Sequence, residues 1–145
     1  MNPPLRLLTA FQQLFDKPPD DIVGVEGRDM WVAGDMTGGG RWLLHAPDLS
    51  AQITFDTRSA RAFRSAFGRP LPPWARYIAG VCAALDAQNL LENPGGRLVM
   101  VGDEPPGPRY EYAMGMAFAS LYLSRSQRPD LLLPLMEAVQ KQLAH

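Results

Sequence analysis

The hydrophobic pattern of residues 110–120, YEYAMGMAFAS, has a period of two. The large side chains stand at every second position: Tyr110, Tyr112, Met114, Met116 and Phe118. A strand places such residues on one face, whereas a helix spreads them around its circumference. Gly115 further disfavours a helix, by about 1 kcal/mol relative to alanine. The pattern predicts a β-hairpin of strands 97–104 and 109–120. A helical stripe stays open as an alternative through Ala113, Met114, Ala117 and Leu121.

Helical periodicity is found in three other segments and predicts an amphipathic helix in each. The N-terminal segment has a stripe formed by Leu7, Leu8, Phe11, Leu14 and Phe15. The middle segment has the clearest stripe, formed by Trp74, Tyr77, Ile78, Val81, Cys82 and Leu85. The C-terminal helix is expected to begin near residues 131–133, because Pro134 is tolerated only in a first turn. A further short helix is predicted over residues 58–68, which Gly68 would end.

Residues 21–57 have the composition and turn spacing of strands. The runs IVGV, DMWVAGD, RWLLHA and AQITFDT are separated by turn residues. We expect three antiparallel strands here, with the first bent at Gly24 or Gly27. The whole chain, residues 1–145, is then predicted to be a single α+β domain. Its order is helix, three strands, helices, β-hairpin and helix, with an antiparallel sheet packed by helices.

Composition narrows the functional classes. The 145 residues carry a net charge of −1 and a pI of about 6.1, which does not favour nucleic-acid binding. The single cysteine, Cys82, excludes a disulfide framework within one chain and favours a reducing compartment. No signal peptide and no apolar run long enough to span a bilayer is evident. We therefore expect a cytoplasmic protein that does not bind membranes.

No catalytic or cofactor motif is evident, and we expect neither an enzyme nor a bound cofactor or metal. The two histidines and one cysteine show no metal-ligand spacing. His45 lies near Asp48 and Ser50, but a strand histidine beside a turn explains it better than a catalytic triad. TGGGR, residues 37–41, lacks the Lys-Ser/Thr of a phosphate loop, and a hairpin loop explains it better. In GDEPPGP, residues 102–108, the prolines remove backbone N–H donors.

Arginine is concentrated in the middle of the chain, at Arg58, Arg61, Arg64, Arg69 and Arg76. Such a group is usually a solvated helix face. The more specific alternative is a docking surface for an acidic partner.

The order of elements resembles the small dimeric chaperones of type III secretion (class I), which escort individual effectors. The local likeness is carried by ALDAQNLLENPGGRLVMVGDEPPGPRYEYAMGMAF, with Leu85, Asn89, Leu90, Gly95 and Gly96 at the family's turn, and by RWLLHAP. The resemblance implies a non-catalytic homodimer that binds an extended effector segment. On this basis we expect the dimer interface at Trp74, Tyr77, Ile78 and Val81. The partner-binding groove is expected at Leu8, Phe11, Trp31, Trp42 and Leu44.

Two alternative functions come from other classes of protein. WARYIAGVCAAL followed by GGRLVMVGDEPPG also resembles the first half of a galactokinase-type sugar kinase, which would be degenerate here because PRYEYAMG replaces the serine-rich phosphate loop. Arg28 and Asp35 in GRDMWVAGDMTGG are then the nearest matches to the sugar-binding turn. A helix at 109–120 favours this reading, and a strand excludes it. The other alternative is a dimeric adaptor or immunity-type binding protein.

Overall fold

The computed structural model describes residues 2–144 of the chain, which form five α-helices and five strands. The bounds in chain order are α1 (Leu5–Phe15), β1 (Asp21–Gly24), β2 (Met30–Asp35), β3 (Arg41–Ala46), β4 (Ala51–Asp56), α2 (Thr57–Arg61), α3 (Arg76–Ala87), β5 (Gly96–Gly102), α4 (Pro108–Arg125) and α5 (Leu132–Leu143). Short 3₁₀ turns occupy residues 47–49, 73–75 and 129–131.

The five strands form one mixed sheet in the order β1-β2-β5-β3-β4. All neighbours are antiparallel except β3 and β5, which run parallel. The predicted α+β class, with a sheet packed by helices, is confirmed. The sheet is not purely antiparallel because β5, the last strand in the chain, inserts between β2 and β3.

The predicted hairpin of strands 97–104 and 109–120 is wrong in its second half. Residues 108–125 form the helix α4, which follows β5 after a short loop. Seven consecutive residues of α4, 113–119, are buried, and a helix that is apolar on all sides is typical of a core. The small residues between the large ones let neighbours approach closely. A Cβ on Gly115 would lie only 2.9 Å from Cβ of Tyr77 in α3. The period of two therefore reflects burial on every side rather than a strand.

Of three smaller predictions, two differ from the structure and one is confirmed. The first strand is not bent but is two strands, β1 and β2, which pair antiparallel through a turn that includes Gly27 at φ 76°. The predicted helix over 58–68 is only α2, residues 57–61, and the chain then turns back on itself. The C-terminal helix begins at Leu132, as predicted, with Pro134 in its first turn.

Two hydrophobic clusters hold the sheet between helices. On one face, α3, α4 and α5 cover a large core in which Trp42 stacks on Phe55 and donates a hydrogen bond from Nε1 to Tyr122 Oη at 2.8 Å. On the other face, α1 packs on β2 and β5 through Leu7 and Phe11. Within residues 2–144 no helix is long and apolar enough to cross a membrane.

Candidate functional site

The loop between β5 and α4 lies at one end of the sheet and is poor in backbone donors. Residues 103–107 read DEPPG, and Pro108 is the first residue of α4. Pro105, Pro106 and Pro108 have no N–H to donate. Gly107 has a φ of 148°, which favours glycine and turns the chain into the helix. A loop that wraps a phosphate needs several backbone N–H groups pointing inward, and this loop has few of them.

An arginine–carboxylate pair connects this loop to the β1–β2 turn. Arg28 donates from Nε to Glu104 Oε1 and from Nη2 to Oε2, both at 2.8 Å, and each side chain is only 16% exposed. Nη2 also donates to the backbone oxygen of Arg109 at 2.8 Å, in the first turn of α4. The hydrogen bonds from Arg28 lower the pKa of Glu104, against the opposing effect of burial. The loop is thus held on one side by a two-pronged ion pair.

A second network holds the base of the loop from the α1 side. The Asp48 carboxylate accepts hydrogen bonds from Arg6 Nη1 at 2.5 Å, from the backbone N–H of Gly102 at 2.8 Å and from Tyr110 Oη at 2.6 Å. Arg6 Nη2 also donates to Asp103 Oδ1 at 2.9 Å. Burial and then the hydrogen bond to Asp48 raise the pKa of Tyr110, so the phenol stays protonated. We call the loop 103–107 with these two networks the loop clamp.

The arginines around the loop clamp are engaged by carboxylates and are not available to a phosphate. Asp29, Asp103 and Glu104 all lie at this end of the sheet, and the backbone N–H of Asp103 is already bonded to the Asp29 carbonyl at 3.1 Å. Burial and the neighbouring charge of Asp103 raise the pKa of Asp29, which is the expected effect of crowded carboxylates. The positive end of α4 is therefore flanked by acidic side chains instead of being open to an anion.

The opposite end of β2 carries a buried carboxylate. Asp35 is fully buried, and its Oδ2 accepts hydrogen bonds from Arg97 Nε at 3.1 Å and from Arg97 Nη2. Its Oδ1 has Lys17 Nζ at 3.3 Å, close enough for an ion pair but outside good hydrogen-bond geometry. Burial alone would raise the pKa of Asp35, but the hydrogen bonds from Arg97 and the nearby charge of Lys17 outweigh it and lower the pKa. The Arg97 guanidinium also lies 4.6 Å from the ring centroid of Phe15.

Two glycine-rich segments close this end of the sheet. Gly38 N donates to the Gly95 carbonyl at 3.1 Å, and Gly40 N donates to the Pro94 carbonyl at 2.9 Å. A Cβ on Gly95 would lie 2.5 Å from the Gly38 oxygen, so the two loops are packed together. The predicted hairpin loop at 37–40 is therefore wrong. It connects β2 to β3, which are separated in the sheet by β5.

Arg28 and Asp35, the predicted sugar-turn residues, are not brought together. Arg28 precedes β2 and Asp35 is its last residue, and each is already paired, Arg28 with Glu104 and Asp35 with Arg97. His45 does not form a triad either. Burial lowers its pKa, and its ring lies edge-on to Phe15 at 5.7 Å. Cys82 is buried in the core, and burial raises its pKa, so it behaves as a small apolar residue.

Most of the residues predicted to contact partners are core residues of the chain itself. Five are fully buried, namely Phe11, Trp42, Leu44, Ile78 and Val81. Their amphipathic stripes face the sheet or neighbouring helices, so in this fold they offer no surface to a groove or a dimer. Four are not fully buried, namely Leu8, Trp31, Trp74 and Tyr77. Trp31 packs over Gly24, and Tyr77 lies edge-on to Tyr112 at 5.2 Å. Dimerisation and partner binding as such stay predictions.

The sequence matches no protein-family model and no curated protein, but the fold is similar to that of a solved galactokinase and of two solved mevalonate kinases. The galactokinase of Lactococcus lactis, complexed with galactose, aligns with a TM-score of 0.70 over 94% of this chain and 42% of that chain, at 12% identity. The mevalonate kinase of Methanococcus jannaschii aligns with a TM-score of 0.60 over 84% of this chain and 38% of that one, at 12% identity. Another mevalonate kinase structure aligns with a TM-score of 0.57 over 85% of this chain and 38% of that one, at 13% identity.

These similarities concern the fold alone, because the identities are so low, and the chain spans about two fifths of the length of each kinase. They still correct one prediction. The secretion-chaperone assignment is wrong, since the structures with a similar fold are kinases. The chaperone resemblance also depended on a hairpin at 97–120, where the structure has β5 followed by α4. The galactokinase-like alternative required a helix there, and the helix is present.

The sequence reasoning missed most of the loop clamp. Glu104 and Arg6 were not singled out, and Asp48 was considered only as a neighbour of His45, although GDEPPGP was recognised as unsuited to phosphate. A signal for Glu104 was available, because an acidic residue beside three prolines is out of place in a phosphate loop. No local signal exists for Arg6 and Asp48, which lie 42 residues apart in the chain.

Proposed function

We propose that this chain is a degenerate sugar-kinase-like domain that works by binding and does not transfer phosphoryl groups. The observation that carries this proposal is the loop clamp, at the place where the resemblance to galactokinase implies a phosphate loop. There Glu104 is paired with Arg28, and three prolines take the place of amide donors. Phosphoryl transfer depends on positioning and neutralising the phosphates, and this loop supplies carboxylates instead.

Nucleotide binding by this loop would require its clamp to open. The ion pairs Arg28–Glu104 and Arg6–Asp103 would both have to break, and the N–H of Gly102 would have to leave Asp48. Even then the prolines would contribute no N–H groups. The cost of opening adds to the cost of placing ATP phosphates beside Asp29, Asp103 and Glu104, so saturable ATP binding is not expected.

Retention of sugar binding without catalysis is the second possibility, and the geometry does not favour it. Arg28 precedes β2 and Asp35 is the last residue of that strand, and both are paired within the chain. The nitrogens of Arg28 are engaged by Glu104 and Arg109, and Asp35 is buried away from solvent.

The test is calorimetric titration of the chain with MgATP and, separately, with galactose. We expect no saturable heat with either ligand at millimolar concentration. The matched control is the variant Glu104→Ser/Pro105→Gly/Pro106→Ser, which removes one carboxylate and restores two backbone donors. Weak MgATP binding by the variant and not by the parent supports the proposal. Saturable one-to-one MgATP binding by the parent chain contradicts it.

We also predict a homodimer, and this prediction is separate from the proposal above. Light scattering on a sizing column should then give a mass near twice 16.0 kDa. Trp74 is half-buried in the 3₁₀ turn that precedes α3, and Trp74→Glu should shift such a dimer to monomer. A monomeric parent chain contradicts the dimer prediction and leaves the proposal of a non-catalytic binding domain unchanged.

A further inference from the structure

The strongest positive charge in this chain lies away from the loop clamp, beside the edge strand β4. Residues 57–70, TRSARAFRSAFGRP, contain four arginines and no acidic residue. The rest of the chain has ten basic and fifteen acidic residues. A local excess of this size on a weakly acidic chain is a marked asymmetry.

Most of these arginines have no acidic partner in the part of the chain that the structure describes. Among residues 2–144, no carboxylate lies within ion-pair distance of Arg41, Arg58, Arg64 or Arg69, and all four are exposed. Arg61 has only Asp86 at 3.9 Å, with its own side chain 60% exposed. By contrast, Arg125, which lies elsewhere on the surface, forms an ion pair in which Nη1 is 2.5 Å from Asp21 Oδ2.

A projecting aromatic ring stands among these arginines. Phe67 is 73% exposed, and the guanidinium of Arg41, from β3, lies 5.4 Å from its ring centroid. An apolar side chain flanked by unpaired cations is the composition of an interface anchor, since aromatic residues and arginine dominate binding energies at interfaces. We call Phe67 with Arg41, Arg58, Arg64 and Arg69 the arginine patch.

The loop that presents Phe67 is already ordered. Ser65 N donates to the Arg69 carbonyl at 2.7 Å, Gly68 N donates to the Ser65 carbonyl at 3.0 Å, and Arg64 Nη1 donates to the Gly68 carbonyl at 2.9 Å. Ala66 N donates to the Thr54 carbonyl of β4 at 2.8 Å, which ties the loop to the sheet. Binding through such a loop loses little backbone entropy, because the segment that carries the ring is ordered beforehand.

We propose that the arginine patch is a docking surface for an acidic peptide segment of another protein, with Phe67 inserting against an apolar side chain of that segment. Charge complementarity selects carboxylates, because arginine pairs with them in a two-pronged geometry. The ring adds an apolar contact that charge alone does not supply. A long polyanion such as nucleic acid is less favoured, since the remainder of the chain is acidic and repels it.

The experiment is selection from a displayed library of random twelve-residue peptides on the immobilised full chain. One enriched peptide is then measured by fluorescence anisotropy. We expect enriched sequences with clustered Asp or Glu beside an apolar residue. Affinity should fall at least tenfold for Arg58→Glu/Arg64→Glu and for Phe67→Ala, and it should fall with added salt. Leu133→Ala and Lys141→Glu are matched controls on the exposed side of α5 and should bind like the parent chain.

Each other outcome overturns the proposal. No enrichment over the bare support, enrichment of non-acidic peptides, or affinity unchanged by the patch substitutions all contradict it. Tighter binding of a fifteen-residue oligo-dT, lost in the same variants, would assign the patch to nucleic acid. Self-association that disappears in those variants would assign it to a second copy of the chain. Circular dichroism checks that the variants fold, as expected for exposed positions. The result is independent of nucleotide binding at the loop clamp.

Discussion

The two ends of strand β2 carry the same chemistry in different surroundings. At one end Asp35 is almost completely buried and pairs with Arg97 and Lys17. At the other end Arg28 and Glu104 pair at 16% exposure each, beside a proline-rich loop. Desolvation makes the first pair an element of folding, because a buried charge without a partner is costly. The second pair is partly exposed to solvent, and it ties the loop 103–107 to the β1–β2 turn.

The largest effect is expected when the buried carboxylate loses its main partner. Arg97→Met leaves Asp35 inside the protein with Lys17 alone, and it should lower the free energy of unfolding by about 3 kcal/mol. Asp35→Asn should cost less, because the arginine and lysine it leaves behind reach solvent. Urea denaturation measures both changes. Equal losses of unfolding free energy in the two variants would contradict the view that the unpaired buried carboxylate causes the larger loss.

A smaller effect is expected at the loop clamp. Arg28→Met removes both hydrogen bonds to Glu104 and the bond to the Arg109 carbonyl, and it should lower stability by about 1–2 kcal/mol. Hydrogen exchange of the amides in residues 102–110 should become faster, while exchange in β2 and β5 stays slow. If exchange accelerates throughout the sheet, the clamp is part of the global core and the comparison fails.

Lowering the pH should affect the stability contributed by the carboxylates at the two ends of β2. The folded pKa of Asp35 and of Glu104 is lowered, so each contributes stability above the unfolded carboxylate pKa that is lost as pH falls through the folded value. The lowered pKa of His45 acts in the same direction below its unfolded value near 6.5.

The comparison at low pH uses two substitutions. Asp35→Asn should flatten the loss of stability between about pH 5 and pH 2 more than Glu104→Gln does. Urea midpoints measured across that range check it. A profile unchanged by Asp35→Asn would show that its ion pairs do not form in solution.

The smallest effect is expected at Arg109. Its guanidinium lies 3.7 Å from Glu104, but its side chain is 80% exposed. Surface ion pairs contribute little, so Arg109→Ala should leave the unfolding midpoint unchanged within error. A clear loss of stability would mean that Glu104 depends on Arg109 as well as on Arg28.

The sequence predicted the class of fold and several elements, because amphipathic stripes such as that of α3 and the prolines around α5 are local signals. It failed at α4, where burial on all sides removes the helical period and leaves alternating large and small residues. It also assigned Trp42, Ile78 and Val81 to partner surfaces, because an amphipathic stripe does not reveal which surface covers it. The pairs Arg6–Asp48 and Arg28–Glu104 join distant segments, and no local pattern predicts them.

The most direct test of the closed loop is a nuclear magnetic resonance titration of the ¹⁵N-labelled chain with MgATP. The account predicts that the amide signals of Gly102, Glu104, Gly107 and Arg109 do not shift in a saturable way. Clustered, saturable shifts of these four signals, absent when Mg²⁺ alone is added, would show that the loop accepts a nucleotide. That result would contradict the proposal that the loop clamp is closed to phosphates.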